Sequence, residues 1–281
     1  TQPKSLIPVA GKPILAHIID QLVDVGVNDF VLIIGYLGDK IEEYISKSYP
    51  NINASFVIQT SGKGTGHAIW LAKEQINNDP ILIVFGDTIC EVDWKEIIDA
   101  PNSLLGVKKV EDPRQFGVAE VSEDNKITRL IEKPAIPKSN LALVGIYKIN
   151  ETKDLMHCLD NIIDSNIKTQ NEFHLTDALM CMVSMGMDAL AAGLAESGPM
   201  GSKHASTCHY SSFFSWDCLL SHGLFRSFHF GAQGGNSLDS AFEGALFLCY
   251  GWNLLDLDAN ANRAGHCCFR NFCRVDLGGF A

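Results

Sequence analysis

A carboxylate at the end of a buried strand is the first candidate for chemistry in this chain. Residues 81–85 form a short apolar run that is followed by Gly86 and Asp87, a pattern that predicts a buried parallel strand. In open α/β sheets, ligands bind beyond the carboxyl ends of the strands, so Asp87 lies where a substrate or a metal would bind. Mg²⁺ typically uses one or two carboxylates together with substrate phosphates. Asp87 is therefore a candidate magnesium ligand, and the alternative is that it caps the next turn or helix.

An amide followed by a glycine-rich loop is the second candidate. The apolar segment 54–59 ends at Gln59, and the loop TSGKGTG follows it. Glycines allow the backbone to approach a ligand closely. An amide offers both a donor and an acceptor, so it can pair with the edge of uracil or thymine. The alternative is a flexible surface turn with a glutamine beside it.

The elements that must position these residues alternate between strands and helices. The periodicity predicts helices over 13–26, 39–48, 67–77, 153–166 and 175–185. It predicts strands over 29–35, 54–59, 81–85, 103–110, 116–121, 127–131 and 141–149. Strands that alternate with helices indicate βαβ units and a mainly parallel sheet. The turn signal Glu123-Asp124-Asn125 makes strands 116–121 and 127–131 a β-hairpin.

Composition narrows the class of protein. The chain has 281 residues, 46% hydrophobic and 20% charged, which suits one large α/β domain or two ordinary ones. Its formal net charge of -11 argues against nucleic acid or an anionic membrane as the main partner. No apolar run approaches the length of a membrane span. Sparse cysteines in the first two-thirds of the chain suggest a reducing cytoplasm.

The character of the sequence changes after about Gly186. The last isoleucine is Ile167, and six of the nine cysteines lie between Cys208 and Cys273. We therefore expect one domain over residues 1–187 and an unassigned tail over residues 188–281. A shifted reading frame, a misjoined sequence and a genuine divergent extension are all open for the tail. A zinc site is a weaker alternative than unassigned thiols, because its candidate ligands lack a paired C-x-x-C spacing: His204, Cys208, His209, Cys267, Cys268 and Cys273.

Six short motifs in a fixed order connect the first domain with a known family. They are PKSLIPVAGKPIL, Gln59 with GKGTGHAI, FGDT, FGVAEV with EKP, VGIY and LTDAL. Each motif alone is weak, but the six in sequence resemble the sugar-phosphate nucleotidylyltransferases. Within that family the chain is most similar to the glucose-1-phosphate thymidylyltransferases. The resemblance covers Thr1 to about Gly186.

The resemblance implies a fold and an activity. The fold is α/β: a Rossmann-like, mainly parallel sheet flanked by helices, with a hairpin-containing sugar-binding subregion. The activity is transfer of a nucleotidyl group from an NTP to a sugar 1-phosphate with Mg²⁺, which forms an NDP-sugar and releases pyrophosphate. We expect dTTP to be preferred, UTP next, and glucose 1-phosphate to be the sugar substrate. A UTP-dependent N-acetylglucosamine-1-phosphate uridylyltransferase stays open, because GTGHA also occurs in uridylyltransferases.

The resemblance maps the family's nucleotide and phosphate residues onto five positions here. Lys4, on a proline-stiffened loop, is the expected catalytic cation, because a fixed positive charge stabilises a phosphoryl group in transfer. Asp87 is the expected magnesium ligand at the α-phosphate. Gln59 and the turn that contains Gly64 and Thr65 hold the base. The alternatives are an ordinary surface lysine for Lys4 and a flexible surface turn for the loop.

The sugar-phosphate site maps onto the second half of the domain, at Gly117, Glu132, Lys133, Gly145 and Tyr147. A carboxylate accepts hydrogen bonds from sugar hydroxyls, a lysine suits the phosphate, and the two glycines leave room for the ring. The alternative for the Glu-Lys pair is a solvated turn before Pro134.

Four further polar residues have other assignments. Glu172 could line the same cavity as the sugar-site residues. Asp177 is more simply a structural partner at a helix end, Asp93 a helix cap before Trp94, and His67 a helix-start or packing residue.

Two departures from the family pattern matter. The family begins with a strand and a glycine-rich loop that carries an arginine and cradles the triphosphate. This sequence begins after that point, so we expect an N-terminally truncated domain. The usual second metal aspartate has no good counterpart, and Asp217 or Asp256 are poor fits. A non-catalytic nucleotide-sugar-binding homologue or regulatory subunit is therefore an open alternative. Separately, self-association into a homo-oligomer stays open.

Overall fold

The computed structural model describes residues 2–193 and the backbone of residues 207–209 and 246–249. Its helices, in chain order, are α1 (Ile14–Asp24), α2 (Gly38–Ser48), α3 (Thr65–Leu71), α4 (Trp94–Asp99), α5 (Thr152–Asp164) and α6 (Leu175–Ser184). Its strands are β1 (Pro8–Val9), β2 (Lys12–Pro13), β3 (Asp29–Ile34), β4 (Asn53–Ile58), β5 (Ile81–Phe85), β6 (Ile89–Glu91), β7 (Ser103–Lys109), β8 (Gly117–Val121), β9 (Ile127–Glu132), β10 (Leu141–Ile149), β11 (Ala189–Gly193), β12 (Thr207–His209) and β13 (Leu246–Cys249).

A nine-stranded sheet forms the centre of the fold. Its main path runs β11-β7-β10-β5-β13-β3-β4, and the hairpin β8-β9 attaches through β10. The central strand β5 is buried from Ile81 to Val84, as its unbroken apolar run predicts. The expected α/β class, a sheet flanked by helices with a hairpin in the second half, is confirmed.

The pairing is more mixed than the sequence predicts. Strands β3 and β4 pair in parallel, and so do β11 and β7. Strand β10 instead runs antiparallel to β5, β7 and β8, and β13 runs antiparallel to both β3 and β5. A helical crossover produces a parallel neighbour, whereas β10 is reached through the hairpin and returns in the opposite direction.

Helix α1 shows how closely local sequence determines an element. Its apolar positions Ile14, Leu15, Ile18, Ile19 and Leu22 are all buried, which is the stripe that a helix packed on a sheet requires. Pro13 precedes its first residue. Gly26 follows its end with a φ of 92°, a conformation that suits glycine at a helix C-terminus.

Helix α3 is shorter than predicted. It starts at Thr65 and ends at Leu71, not near Asn77. The next residues form tighter turns, in which Lys73 N–H donates to the carbonyl of Trp70 and Gln75 N–H donates to that of Ala72. Each bond spans three residues, as in a 3₁₀ turn, so helical periodicity in the sequence continues beyond the α-helix.

The described fold extends past residue 187, because β11 adds a parallel edge strand next to β7. All of the described residues belong to one compact unit. The expected boundary at residue 187 stays a prediction. Within residues 2–193, no helix has both the length and the apolar character needed to cross a bilayer.

Candidate functional site

Lys4 and Asp87 lie close together beyond the carboxyl end of β5. Lys4 opens a single 3₁₀ turn whose next two residues, Ser5 and Leu6, are buried while Lys4 itself is exposed. Asp87 is also exposed, but protein around its carboxylate withdraws water from it. This desolvation raises the pKa of Asp87 above its usual range, and the positive charge of Lys4 acts in the opposite direction. The structure thus brings together the two groups that the sequence assigns to the reacting phosphate.

The donor set around Asp87 suits Mg²⁺ that is shared with a substrate. Among the described residues, no three acidic, histidine or cysteine side chains form a ready-made metal site. A carboxylate next to a lysine fits Mg²⁺, which takes few protein oxygens and completes its shell with waters and phosphate oxygens. The candidate second ligands Asp217 and Asp256 lie outside the described residues. The proposed zinc ligands lie outside them too, except for the backbone of Cys208 and His209 in β12.

The glycine-rich loop is packed on the segment that leads into α6. Phe173 N–H donates to the carbonyl of Lys63 at 2.8 Å, and Gly66 N–H donates to the carbonyl of Phe173 at 2.8 Å. The Thr65 hydroxyl accepts from Leu175 N–H at 3.0 Å. Gly64 has a φ of 100°, and a Cβ there would lie 2.4 Å from the carbonyl oxygen of Phe173. Residues 63–66 of the loop are therefore held by contacts with this segment.

Gln59 is buried at the base of this loop, with 5% of its surface exposed. Its Nε2 donates to the carbonyl of Gly64 at 3.2 Å and lies 3.0 Å from Nδ1 of His67. His67, in the first turn of α3, is itself buried and stacks on Trp70 and Phe173. This confirms the interpretation of His67 as a helix-start and packing residue, and it adds a hydrogen bond to Gln59 that the sequence did not indicate.

Glu132 is held at the end of β9 by a residue that sequence reasoning missed. The Thr176 hydroxyl donates to Oε2 of Glu132 at 2.7 Å. Buried His174 lies farther away, with Nδ1 at 3.7 Å from Oε1 of Glu132 and Nε2 at 3.9 Å from a carboxylate oxygen of Glu172. The sequence does show that a hydroxyl residue, Thr176, comes directly before Asp177 at the start of a helix. Sequence alone does not reveal that this first turn of α6 faces β9.

Gly117 belongs to the same cluster. A Cβ at this position would lie 3.0 Å from the Thr176 hydroxyl and 3.1 Å from Oε2 of Glu132. Lys133 is half-buried, has a φ of 41° and donates its N–H to the carbonyl of Phe116 at 3.0 Å. Such a φ is uncommon for a residue with a side chain, and it turns the chain sharply just after Glu132.

Gly145 and Tyr147 lie in the core, and the structural reason for each differs from the expected one. Gly145 has a φ of 79°, and a Cβ there would lie 2.6 Å from the ring of Phe85. Tyr147 is 3% exposed, and its ring centroid is 5.7 Å from that of Phe85. Both residues therefore pack against Phe85, two positions before Asp87, and their contact with a sugar stays a prediction.

Two assignments of structural roles agree with the structure. The Asp93 carboxylate accepts from Glu96 N–H at 3.0 Å and caps α4, as predicted. Asp177 lies in the first turn of α6, where a negative charge interacts favourably with the helix dipole.

Two cysteines are bonded to each other, whereas the sequence suggested reduced thiols. A disulfide joins Cys158 of α5 to Cys181 of α6, which the interpretation of sparse, reduced thiols did not anticipate.

Comparison with known proteins identifies relatives over the same region. The sequence profile described as nucleotidyl transferase matches residues 1–197. The bifunctional protein GlmU of Methanococcus maripaludis is 37% identical over 188 residues, which are 66% of this chain and 43% of that protein. The bifunctional sugar-1-phosphate nucleotidylyltransferase/acetyltransferase of Sulfurisphaera tokodaii is 37% identical over 187 residues, 65% of this chain and 43% of that protein. The chain thus spans less than half the length of these curated relatives.

A solved structure supports the fold independently. A Bacillus anthracis protein assigned as a glucose-1-phosphate thymidylyltransferase superposes with a TM-score of 0.60 at 22% identity. The superposition covers 82% of this chain and 89% of that one. At this identity the likeness concerns the fold.

Proposed function

Because the chain belongs to the nucleotidyl transferase family, we propose that it transfers a nucleotidyl group from an NTP to a sugar 1-phosphate. The observation that carries the proposal is the segment 173–176, which links the two halves of the candidate site. Its backbone binds the glycine-rich loop through Phe173, and its Thr176 hydroxyl binds Glu132. A base-binding loop and a sugar-binding carboxylate fixed to one segment suit a reaction that joins a nucleotide to a sugar phosphate.

In the proposed reaction, an oxygen of the sugar phosphate attacks the α-phosphorus of the NTP. A new P–O bond forms as the bond between the α-phosphorus and the bridging oxygen of the β-phosphate breaks, and pyrophosphate leaves with that oxygen. Lys4 stabilises the negative charge on the α-phosphoryl group in the transition state. No protein nucleophile and no covalent intermediate are needed.

Asp87 is the residue that would hold Mg²⁺. When bound, the ion neutralises phosphate charge and orients the reacting groups. Desolvation raises the pKa of Asp87, and the positive charge of the adjacent Lys4 partly offsets that rise. We propose that this chain supplies one carboxylate ligand and one fixed cation at the same phosphate.

The substrates we propose are dTTP first and UTP next, with glucose 1-phosphate as acceptor. Gln59 and the Gly64-Thr65 turn bind the base, while Glu132 and Lys133 bind the sugar hydroxyls and the sugar phosphate. Gly117 keeps space beside Glu132 free of a side chain, and Gly145 and Tyr147 support Phe85 next to the site. UTP with N-acetylglucosamine 1-phosphate is the alternative pair. We further propose residues 1–187 as the catalytic domain and the cytoplasm as its location.

Pyrophosphate release tests this proposal. The 281-residue chain is supplied with glucose 1-phosphate and Mg²⁺ and with dTTP, UTP, CTP, ATP or GTP in turn. We expect release with a pyrimidine nucleotide and its loss in Asp87→Ala. Asp79→Ala is the matched control, because Asp79 is an exposed aspartate before the opposite end of β5. No release with any nucleotide, while nucleotide-sugar binding persists, would favour the non-catalytic binding homologue.

A further inference from the structure

The Gln59 amide uses its nitrogen entirely within the protein. Within the part of the chain that the structure describes, both hydrogen bonds of this side chain involve Nε2, one to the carbonyl of Gly64 and one to Nδ1 of His67. An amide nitrogen carries two hydrogens, so both are engaged. Oε1, which can only accept, takes part in neither bond.

The bond to His67 requires a particular state of the imidazole. Nδ1 can accept from Gln59 only when it carries no proton, which places the ring proton of neutral His67 on Nε2. Burial lowers the pKa of His67, and the nearby charge of Lys63 lowers it further. At neutral pH, His67 is therefore an acceptor towards Gln59.

Aromatic stacking holds the His67 ring in place. Its centroid lies 5.8 Å from that of Trp70 with an interplanar angle of 30°, and 6.3 Å from that of Phe173 with an angle of 24°. Lys73 and Lys168 approach the rings of Trp70 and Phe173 at 4.8 and 4.9 Å.

The three stacked rings of Trp70, His67 and Phe173 form a column, and hydrogen bonds also hold its Trp70 end. Trp70 Nε1 donates to the Asp160 carboxylate at 2.8 Å, and Lys73 pairs with the same carboxylate. The ring of His67 is thus fixed in position and in tilt before any ligand binds.

We propose that His67 is a positioning residue that sets base specificity by fixing the Gln59 amide so that only Oε1 faces the nucleobase. An acceptor in that place pairs with the N3–H of uracil or thymine. It meets a lone pair on N3 of cytosine, which leaves both groups without a partner. The inference rests on the proposed function, since it concerns the base of the transferred nucleotide, and it deepens that function by naming what selects the base.

Two substitutions of His67 separate hydrogen bonding from packing. His67→Phe keeps an aromatic ring in the column and removes the acceptor. His67→Asn removes the ring but can place an amide oxygen near the position of Nδ1. The measured quantity is the ratio of kcat/KM for UTP or dTTP to kcat/KM for CTP, together with the KM for glucose 1-phosphate. His157→Phe is the matched control, because His157 is exposed on α5.

The expected results differ between the variants. His67→Phe lowers the ratio of kcat/KM for UTP or dTTP to kcat/KM for CTP by about tenfold or more, through the KM of the NTP. The reason is that a site that loses its hydrogen-bond geometry loses discrimination between bases. His67→Asn retains most of the ratio despite lower thermal stability. In both variants and in the control, the KM for glucose 1-phosphate stays near the wild-type value. An unchanged ratio in His67→Phe, or an equal loss in both variants, would overturn the inference and leave His67 as a packing residue.

A binding measurement keeps this outcome separate from failure of the proposed function. If the wild-type chain releases no pyrophosphate, equilibrium dissociation constants for UDP-glucose and CDP-glucose replace the kinetic ratio. Preference for UDP-glucose that His67→Phe abolishes and His67→Asn retains supports the inference without catalysis. Equal affinity of the wild type for both ligands, or no binding of either, overturns it.

Discussion

The position of the Glu132 side chain depends on neighbours that are distant in sequence. Glu132 and Lys133 are recognisable in the sequence, but the Thr176 hydroxyl that fixes the Glu132 carboxylate lies 44 positions away in the chain. Gly117 is equally dependent on context, because a Cβ there would crowd both partners of that hydrogen bond. The proposed sugar half of the site thus depends on a three-residue cluster on β8, β9 and α6.

Removing the Thr176 hydroxyl tests this cluster. Thr176→Val keeps the shape of the side chain but leaves a mostly buried carboxylate oxygen without its donor. We expect the KM for the sugar 1-phosphate to rise about tenfold, with the KM for the NTP little changed. Thr176→Ser restores the hydroxyl and should recover most of the loss. Equal increases in both KM values, or no recovery in the serine variant, would show that Thr176 acts through general packing.

The glycine loop gives a prediction about stability. Gly64 and Gly186 have the same φ of 100°, but a Cβ would collide with Phe173 only at Gly64 and meets nothing within 4 Å at Gly186. Gly186→Ala should therefore cost about 1 kcal/mol from the left-handed backbone alone. Gly64→Ala should cost at least about 2 kcal/mol more, because the loop must also move away from α6. Urea unfolding of both variants measures the difference, and equal losses would contradict the packing described for the loop.

At the scale of elements, the sequence predicts what local pattern controls. The stripe of α1 and the turn of the β8-β9 hairpin follow from periodicity and turn residues, and both are observed. The predicted end of α3 was too late in the chain. The residues after Leu71 form turns whose hydrogen bonds span three residues instead of four, and hydrophobic periodicity does not distinguish such turns from an α-helix. The antiparallel placement of β10 and β13 was also missed, since it depends on pairing between strands distant in sequence. Propensity carries no information about such partners.

The disulfide between α5 and α6 belongs to this scale. It joins residues 23 apart in sequence, and closing such a loop in the unfolded chain stabilises the fold by about 3 kcal/mol. A reductant should therefore lower the free energy of unfolding of the wild-type chain. It should have a smaller effect on the double variant Cys158→Ala, Cys181→Ala, in which other cysteines are unchanged. Chemical unfolding with and without dithiothreitol makes this comparison, and an identical effect on both proteins would argue against the bond.

At the scale of the whole molecule, the site is assembled from segments far apart in sequence. Lys4 precedes the first helix, Asp87 follows β5, and Glu132 ends the hairpin. The order and spacing of the motifs were enough to predict the family, whereas the roles of these three residues stay predictions. The residues that hold these side chains in place were not predictable. Thr176, His67 and Phe85 make contacts that only the folded chain brings together.

The central claim is that a sugar-phosphate oxygen attacks the α-phosphorus of a nucleotide. Glucose 1-phosphate that carries ¹⁸O in its non-bridging phosphate oxygens tests it most directly, with dTTP or UTP, Mg²⁺ and mass analysis of the products. The account predicts an NDP-glucose that retains all of the label, including the oxygen between its two phosphorus atoms, and pyrophosphate that contains none. Label in the pyrophosphate, or nucleoside monophosphate and pyrophosphate beside unchanged glucose 1-phosphate, would contradict the claim.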